Sequence, residues 1–125
     1  MVKMNNKEFG KSLEKRTKVL AVKIIKLSAS LPESLESRVI RNQLTKSGSS
    51  IGANYFEANK SRSKRDFLNK LKISESEANE TLFWLAVLEE LDWLNESKKL
   101  EEIKNEVKEL LAIFISVGNK LKSKG

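Results

Sequence analysis

Between Asn59 and Leu71 the chain reads NKSRSKRDFLNKL, which crowds Lys60, Arg62, Lys64 and Arg65 into six positions and adds Lys70 close behind. Lys72 extends the run. Several flexible cations in one segment suit the phosphates of a nucleic-acid backbone, and binding of that kind weakens steeply with salt. Ser63 has the chemistry of a helix N-cap, with Asp66 three residues later as its capping-box partner. Lys64 and Arg65 then fall in a first helical turn, where the macrodipole disfavours cations by a few tenths to about 1 kcal/mol. A segment shaped only for helix stability would carry acids there. Cations around free backbone N–H groups instead make an anion site. No ribonucleoprotein aromatics, zinc knuckle or helix-turn-helix accompany the run. Recognition by shape or backbone is therefore expected, with structured RNA or a ribonucleoprotein as ligand. The alternative is an assembly or adaptor module, in which the basic turn meets acids such as Glu101, Glu102, Glu106 and Glu109 on a neighbouring subunit, or the basic and acidic faces recruit a protein partner.

The second group with chemical potential is acidic. Glu77 and Glu80 share a helical stripe with Ile73, Trp84 and Leu91, while Asn54 and Glu57 lie in the preceding segment. Burial of such carboxylates costs several kcal/mol per ion unless partners satisfy them. Arg38 or Arg41, with Asn54 and nearby serines, are the available partners. The expectation is a buried polar cluster of Asn54, Glu57, Glu77, Glu80 and Arg41 that fixes helix register, as a buried polar residue does in coiled coils. Helical bundles also hold paired metals, but with Glu and Glu-x-x-His repeated, and this chain has no His and no Cys. The commonest general base and the thiolate nucleophile are missing together. No catalytic residue, metal or cofactor is expected, and the chain reads as a non-enzyme.

A chain of 125 residues suits one domain, here 1–125. Charge is unevenly divided: residues 1–73 hold 17 Lys/Arg against 6 Asp/Glu, and residues 74–125 hold 7 against 11. The net +11 and −4 make the first part a surface for polyanions, or for the acidic part of a second copy. The opening MVKMNNKEFGKSLEKR lacks the apolar stretch of a secretion signal. No apolar run approaches the ~20 residues of a membrane span. A soluble, cytoplasmic protein with no membrane partner is expected.

Four helical patterns must position these groups, at about 6–30, 34–59, 64–93 and 98–122. The first places Leu13, Thr17, Leu20, Ile24, Leu27 and Leu31 at steps of three and four. The second runs Ile40, Leu44, Ser47, Ile51, Asn54 and Ala58; the third runs Phe67, Leu71, Ser74, Ala78, Thr81, Leu85 and Leu88. The fourth runs Leu100, Ile103, Val107, Leu110, Phe114, Val117 and Leu121. Sustained three–four spacing with short connections predicts an all-α fold, an antiparallel up-down-up-down four-helix bundle. Ser47–Ala53, reading SGSSIGA, is poor helix material, since each Gly costs about 0.8–1.0 kcal/mol relative to Ala. Close approach of helix backbones explains it better than a phosphate loop, because no strand precedes it and it fits no nucleotide-binding pattern.

Two blocks together resemble the four-helix-bundle family first noticed as open reading frames within intervening sequences of bacterial 23S ribosomal RNA genes. One holds Ser47, Ser50, Ile51, Ala53, Asn54, Tyr55, Glu57 and Ala58; the other holds Phe67, Lys70, Leu71, Ile73, Glu77, Glu80, Thr81, Trp84 and Leu85. The resemblance implies a bundle that assembles into a ring-shaped homopentamer. It further implies kinship with the accessory protein of diversity-generating retroelements, a basic pentamer that works with a reverse transcriptase and binds nucleic acid. The expected partners are thus copies of the chain itself, RNA or DNA, and a protein partner. The resemblance supplies no catalytic residue to carry over.

Overall fold

The protein is described by a computed structural model covering residues 6–95 and 97–124. Among the described residues there are four helices and no strands: α1 Asn6–Ala29, α2 Leu35–Asn59, α3 Lys64–Leu91 and α4 Ser97–Ser123. Local chemistry sets the boundaries. Ser34 caps α2, its side chain accepting from the Ser37 N–H at 3.0 Å, and Ser63 caps α3 by accepting from the Asp66 N–H at 3.1 Å. Each satisfies one of the orphan donors of a helix start. α3 stops at Leu91 because Asp92 turns left-handed at φ 54°, its N–H still bonded to Leu88 O at 3.1 Å. Aspartate tolerates that conformation better than most residues.

The expected apolar stripes form the core. Leu13, Leu20, Ile24, Leu44, Ile51, Leu71, Leu85, Val107, Leu110 and Phe114 are essentially sealed from solvent. Each contributes on the order of 1.5–3 kcal/mol through its removed apolar surface. Tyr55 joins them, stacked on Phe114 with ring centroids 5.3 Å apart. This corrects the placement of Asn54 on the α2 core seam. From Ile51 a step of four leads to Tyr55 and a step of three to Asn54, and the larger apolar ring takes the interior. Asn54 lies partly exposed and donates to Ser50 O on its own helix at 2.9 Å.

Small residues govern how closely the helices approach. A Cβ on Gly48 would stand 2.7 Å from Ile24 Cδ1 and Cγ2, and one on Gly52 would stand 2.9 Å from Thr17 Cβ and Oγ1. α1 therefore lies against α2 with no room for a side chain at either position. α2 and α3 meet along buried hydroxyls. Thr81 Oγ1 lies 2.9 Å from Ser47 Oγ, and Ser74 Oγ donates to Ile51 O at 3.0 Å. Ser47 and Ile51 of α2 meet Thr81 and Ser74 of α3, and Gly10 of α1 lies beside Asn59 of α2. α1 and α4 are the most sparsely packed of the four adjacent pairs. Arg16 links them at the surface: its guanidinium donates to both oxygens of Glu106 at 2.7 and 3.1 Å and reaches Glu109 at 3.1 Å.

Candidate nucleic-acid interface

The basic turn follows directly from how α2 ends and α3 begins. Lys60 closes α2 with its N–H turned back to Glu57 O, and its ammonium sits 4.6 Å from the centroid of the Phe56 ring. Arg62, Lys64 and Arg65 are exposed, the last two in the first turn of α3 beside the Ser63 cap. These four cations share one end of the fold. Lys70 and Lys72 do not extend it as a single stripe. Two residues along a helix turn by about 200°, so they leave opposite sides of α3. Lys70 is partly buried, and Lys72 pairs with Glu75 at 3.5 Å. The patch is thus centred on Lys60, Arg62, Lys64 and Arg65, with Arg65 and Lys72 on one helical face, seven residues apart.

The structure adds cations that lie far from this turn in the sequence. Gly118 of α4 lies against Leu71 and Glu75 of α3, a Cβ there being 3.5 Å from Leu71 Cδ2. The last turn of α4, with Lys120 and Lys122, therefore reaches the level of the first turns of α3. Asn59 Nδ2 donates to Glu14 at 2.7 Å and lies 3.4 Å from Gly10 O, which brings Lys7 and Lys11 of α1 to the same end. One pole of the fold collects lysines and arginines from all four helices. The signal lay in the short connections between the helical patterns, which favour neighbours that run in opposite directions. The other α1 cations go elsewhere. Arg16 is engaged by Glu106 and Glu109, and Lys23 and Lys26 lie toward the far end beside Leu94 and Lys99.

The expected buried polar cluster of Asn54, Glu57, Glu77, Glu80 and Arg41 does not form in the chain, and that expectation is corrected. Glu57 and Glu80 are exposed, and Arg41 lies 3.5 Å from Glu33. Glu80 accepts instead from Trp84 Nε1 at 3.4 Å. Glu77 is partly buried; desolvation pushes its carboxyl above the usual range, the charge of Glu80 adds to the rise, and Lys46 opposes it. The buried polar groups between α2 and α3 are hydroxyls: Ser47, Ser74 and Thr81. A hydroxyl can be sealed by donating to a helix carbonyl, whereas a sealed carboxylate needs cations at close range. Among the described residues, no three carboxylates gather as a metal ion would require. Nor is any helix long and apolar enough to cross a membrane.

Residues 12–116 match the family described as 23S rRNA-intervening sequence protein. Among solved structures, the chain is similar to a protein of unknown function from the S23 ribosomal protein family of Bacteroides thetaiotaomicron, determined at 1.70 Å. The two share 34% identity and superpose with a TM-score of 0.80, covering 88% of this chain and 97% of that one. No curated protein matches the sequence.

Proposed function

The chain belongs to the 23S rRNA-intervening sequence protein family, and from that premise we propose a non-enzymatic, oligomeric nucleic-acid-binding protein that contacts structured RNA or a ribonucleoprotein through its basic pole. The observation that carries this reading is the convergence of Lys60, Arg62, Lys64 and Arg65 with the terminal lysines of α4 at one end. Cations from separate helices, held on a rigid frame and facing water, suit a phosphate backbone better than a single linear run does. The proposed frame is an antiparallel up-down-up-down bundle, and the proposed assembly is a ring of five copies.

Two faces support assembly. The outer face of α1 carries Val19, Val22 and Ile25, each more than two-fifths exposed, among Lys11, Lys15 and Lys18. The outer face of α3 carries Phe83 and Ile73 beside Glu77 and Glu80. An apolar-basic face and an apolar-acidic face on different sides of one chain suit head-to-tail contact, the kind that closes into rings.

The test is fluorescence anisotropy with labelled structured RNA and duplex DNA, at low and physiological salt, on the native protein and an R62A/K64A/R65A variant. The proposal expects salt-sensitive binding that the variant loses while keeping its helical content and its mass. No binding by the folded oligomer at low salt overturns it. A change of oligomer mass or of protein capture in the variant would instead favour the adaptor reading.

A further inference from the structure

α1 and α2 are pressed together at Gly48 and Gly52, but closer to the end of α1 the pair opens into a groove of about 380 Å³. Helical spacing builds its walls. Ile25, Ser28 and Ala29 stand three and four residues apart on α1, and on α2 Arg41 precedes Thr45, and Asn42 precedes Lys46, by four. Each helix thus presents one continuous strip. Among the described lining residues none is acidic. The carbonyls of Leu27 and Ser28, at the end of α1, already accept from the N–H groups of Ser30 and Leu31 at 3.1 and 3.2 Å. The groove therefore offers chiefly donors. Ser28 is 3% exposed, and its Oγ has no hydrogen-bond partner within the chain. An unmade bond at a buried hydroxyl is a cost that an incoming oxygen removes. The two cations are lightly engaged. Arg41 meets Glu33 at 3.5 Å, but that carboxylate is 89% exposed, a solvated contact of little strength, and a guanidinium has five donors to share. Lys46 is exposed; its charge bears on Glu77, but no salt bridge joins the two.

We infer that this groove binds a small hydroxylated phosphate monoester, its phosphate held by Arg41 and Lys46 and its hydroxyls by Ser28, Asn42 and Thr45. Two cations of different kinds suit a dianion: the planar fork grips two oxygens at once, and the ammonium acts as a point charge beside it. The volume lies within the roughly 300–1,000 Å³ of small-molecule sites. No aromatic ring stands among the described lining residues, so the groove offers no stacking surface for a base. Ile25 and Ala29 give a short apolar strip that suits a carbon chain instead. Of the lining residues, Ile25 alone belongs to the α1 face proposed for assembly. Thr45 precedes Lys60 by fifteen residues of α2, about 22 Å of helix. The groove is thus separate from the basic pole and does not rest on the nucleic-acid reading.

The probe is ribose 5-phosphate, with ribose and inorganic phosphate as its two halves. Calorimetric titration of the intact protein should give saturable binding of one ester per chain. Ribose should bind at least tenfold more weakly, and inorganic phosphate at least threefold. R41A/K46A should lower the affinity for the ester at least tenfold, whereas R62A/K64A/R65A at the basic pole should leave it unchanged. Ser28→Ala should weaken the ester at least threefold although the free protein melts no lower, since it loses only an unpartnered hydroxyl. Glu33→Gln removes the carboxylate that competes for Arg41 and should tighten binding about threefold, a readout that does not require R41A/K46A to fold. Equal affinity for the ester and either of its halves overturns the assignment. So does undiminished binding by an R41A/K46A protein of native helical content, or an unchanged affinity in Glu33→Gln. Loss of the ester in R62A/K64A/R65A would place it at the basic pole and overturn the assignment as well.

Discussion

Gly48 and Ile24 stand so close that a single added carbon has no place: a Cβ at residue 48 would lie 2.7 Å from two Ile24 carbons and 3.2 Å from a third. The contact involves the branched root of the isoleucine, which cannot swing aside as a flexible tip would. Gly48→Ala is therefore expected to destabilise by up to about 2 kcal/mol. The strain of overpacking, typically 1–3 kcal/mol, exceeds the roughly 0.8–1.0 kcal/mol of helix propensity that alanine gains. Gly118 is the control. Its added Cβ would meet Leu71 at an ordinary 3.5 Å, so Gly118→Ala should stabilise by up to about 1 kcal/mol. Urea denaturation of the two variants should show midpoints moving in opposite directions.

The hydroxyl seam between α2 and α3 gives a second expectation. Thr81 Oγ1 lies 2.9 Å from Ser47 Oγ and 2.8 Å from Glu77 O, its alternative acceptor. Thr81→Val removes this donor and leaves Ser47 with Leu44 O at 3.4 Å. A loss of about 1–2 kcal/mol is expected. In a double-mutant cycle with Ser47→Ala the two changes should be non-additive by roughly 0.5–1 kcal/mol.

Glu77 makes stability depend on pH with a definite sign. Burial raises its folded-state pKa above the unfolded one, so the folded chain binds the proton more tightly. The stability linked to that proton is present below the unfolded value and lost as pH rises through the folded value. Glu77→Gln should therefore be more stable than the native protein at neutral pH, by less than about 1 kcal/mol at this partly exposed position. The advantage should shrink as pH falls through the carboxylate range. Thermal melts at pH 7 and pH 4 check both the sign and the window.

The end of α4 separates a basic pole from a merely basic turn. If phosphate contacts extend across the pole, Lys120→Ala with Lys122→Ala should flatten the dependence of log K on log salt by about 1.5, at roughly 0.7–0.9 per lost contact. An unchanged slope would confine binding to the Arg62–Arg65 turn.

What the sequence disclosed was what repeats. Leu13, Leu20, Ile24 and Leu27 are buried as their spacing requires, and the same holds for Leu100, Ile103, Val107 and Leu110, because burial follows the helical period almost independently of partners. The polar residues of α2 and α3 were harder to place. Ser47, Ser74 and Thr81 fall on the expected seams and are buried, but Glu77 and Glu80, on the second stripe of α3 and expected in a buried cluster, lie at or near the surface. Periodicity assigns a face only to within about a third of a turn, and a stripe beside the seam reads much like the seam itself. The pole remained partly hidden for another reason. Lys64 and Lys122 are 58 positions apart, and no local pattern reports that both ends of the α3–α4 pair bring them together.

The uneven packing of the helices also bears on how the molecule opens. α2 sits between two close neighbours, whereas α4 is held well by α3 and only sparsely by α1. Local opening begins where the fewest tertiary contacts must be broken. Amide hydrogens of α4 should therefore exchange with solvent sooner than those around Leu44 and Ile51 in α2, with Arg16 as the clasp that slows them. Removing that clasp in Arg16→Ala should quicken exchange in α4 selectively, so that the last helix behaves as a detachable unit on a more durable three-helix frame.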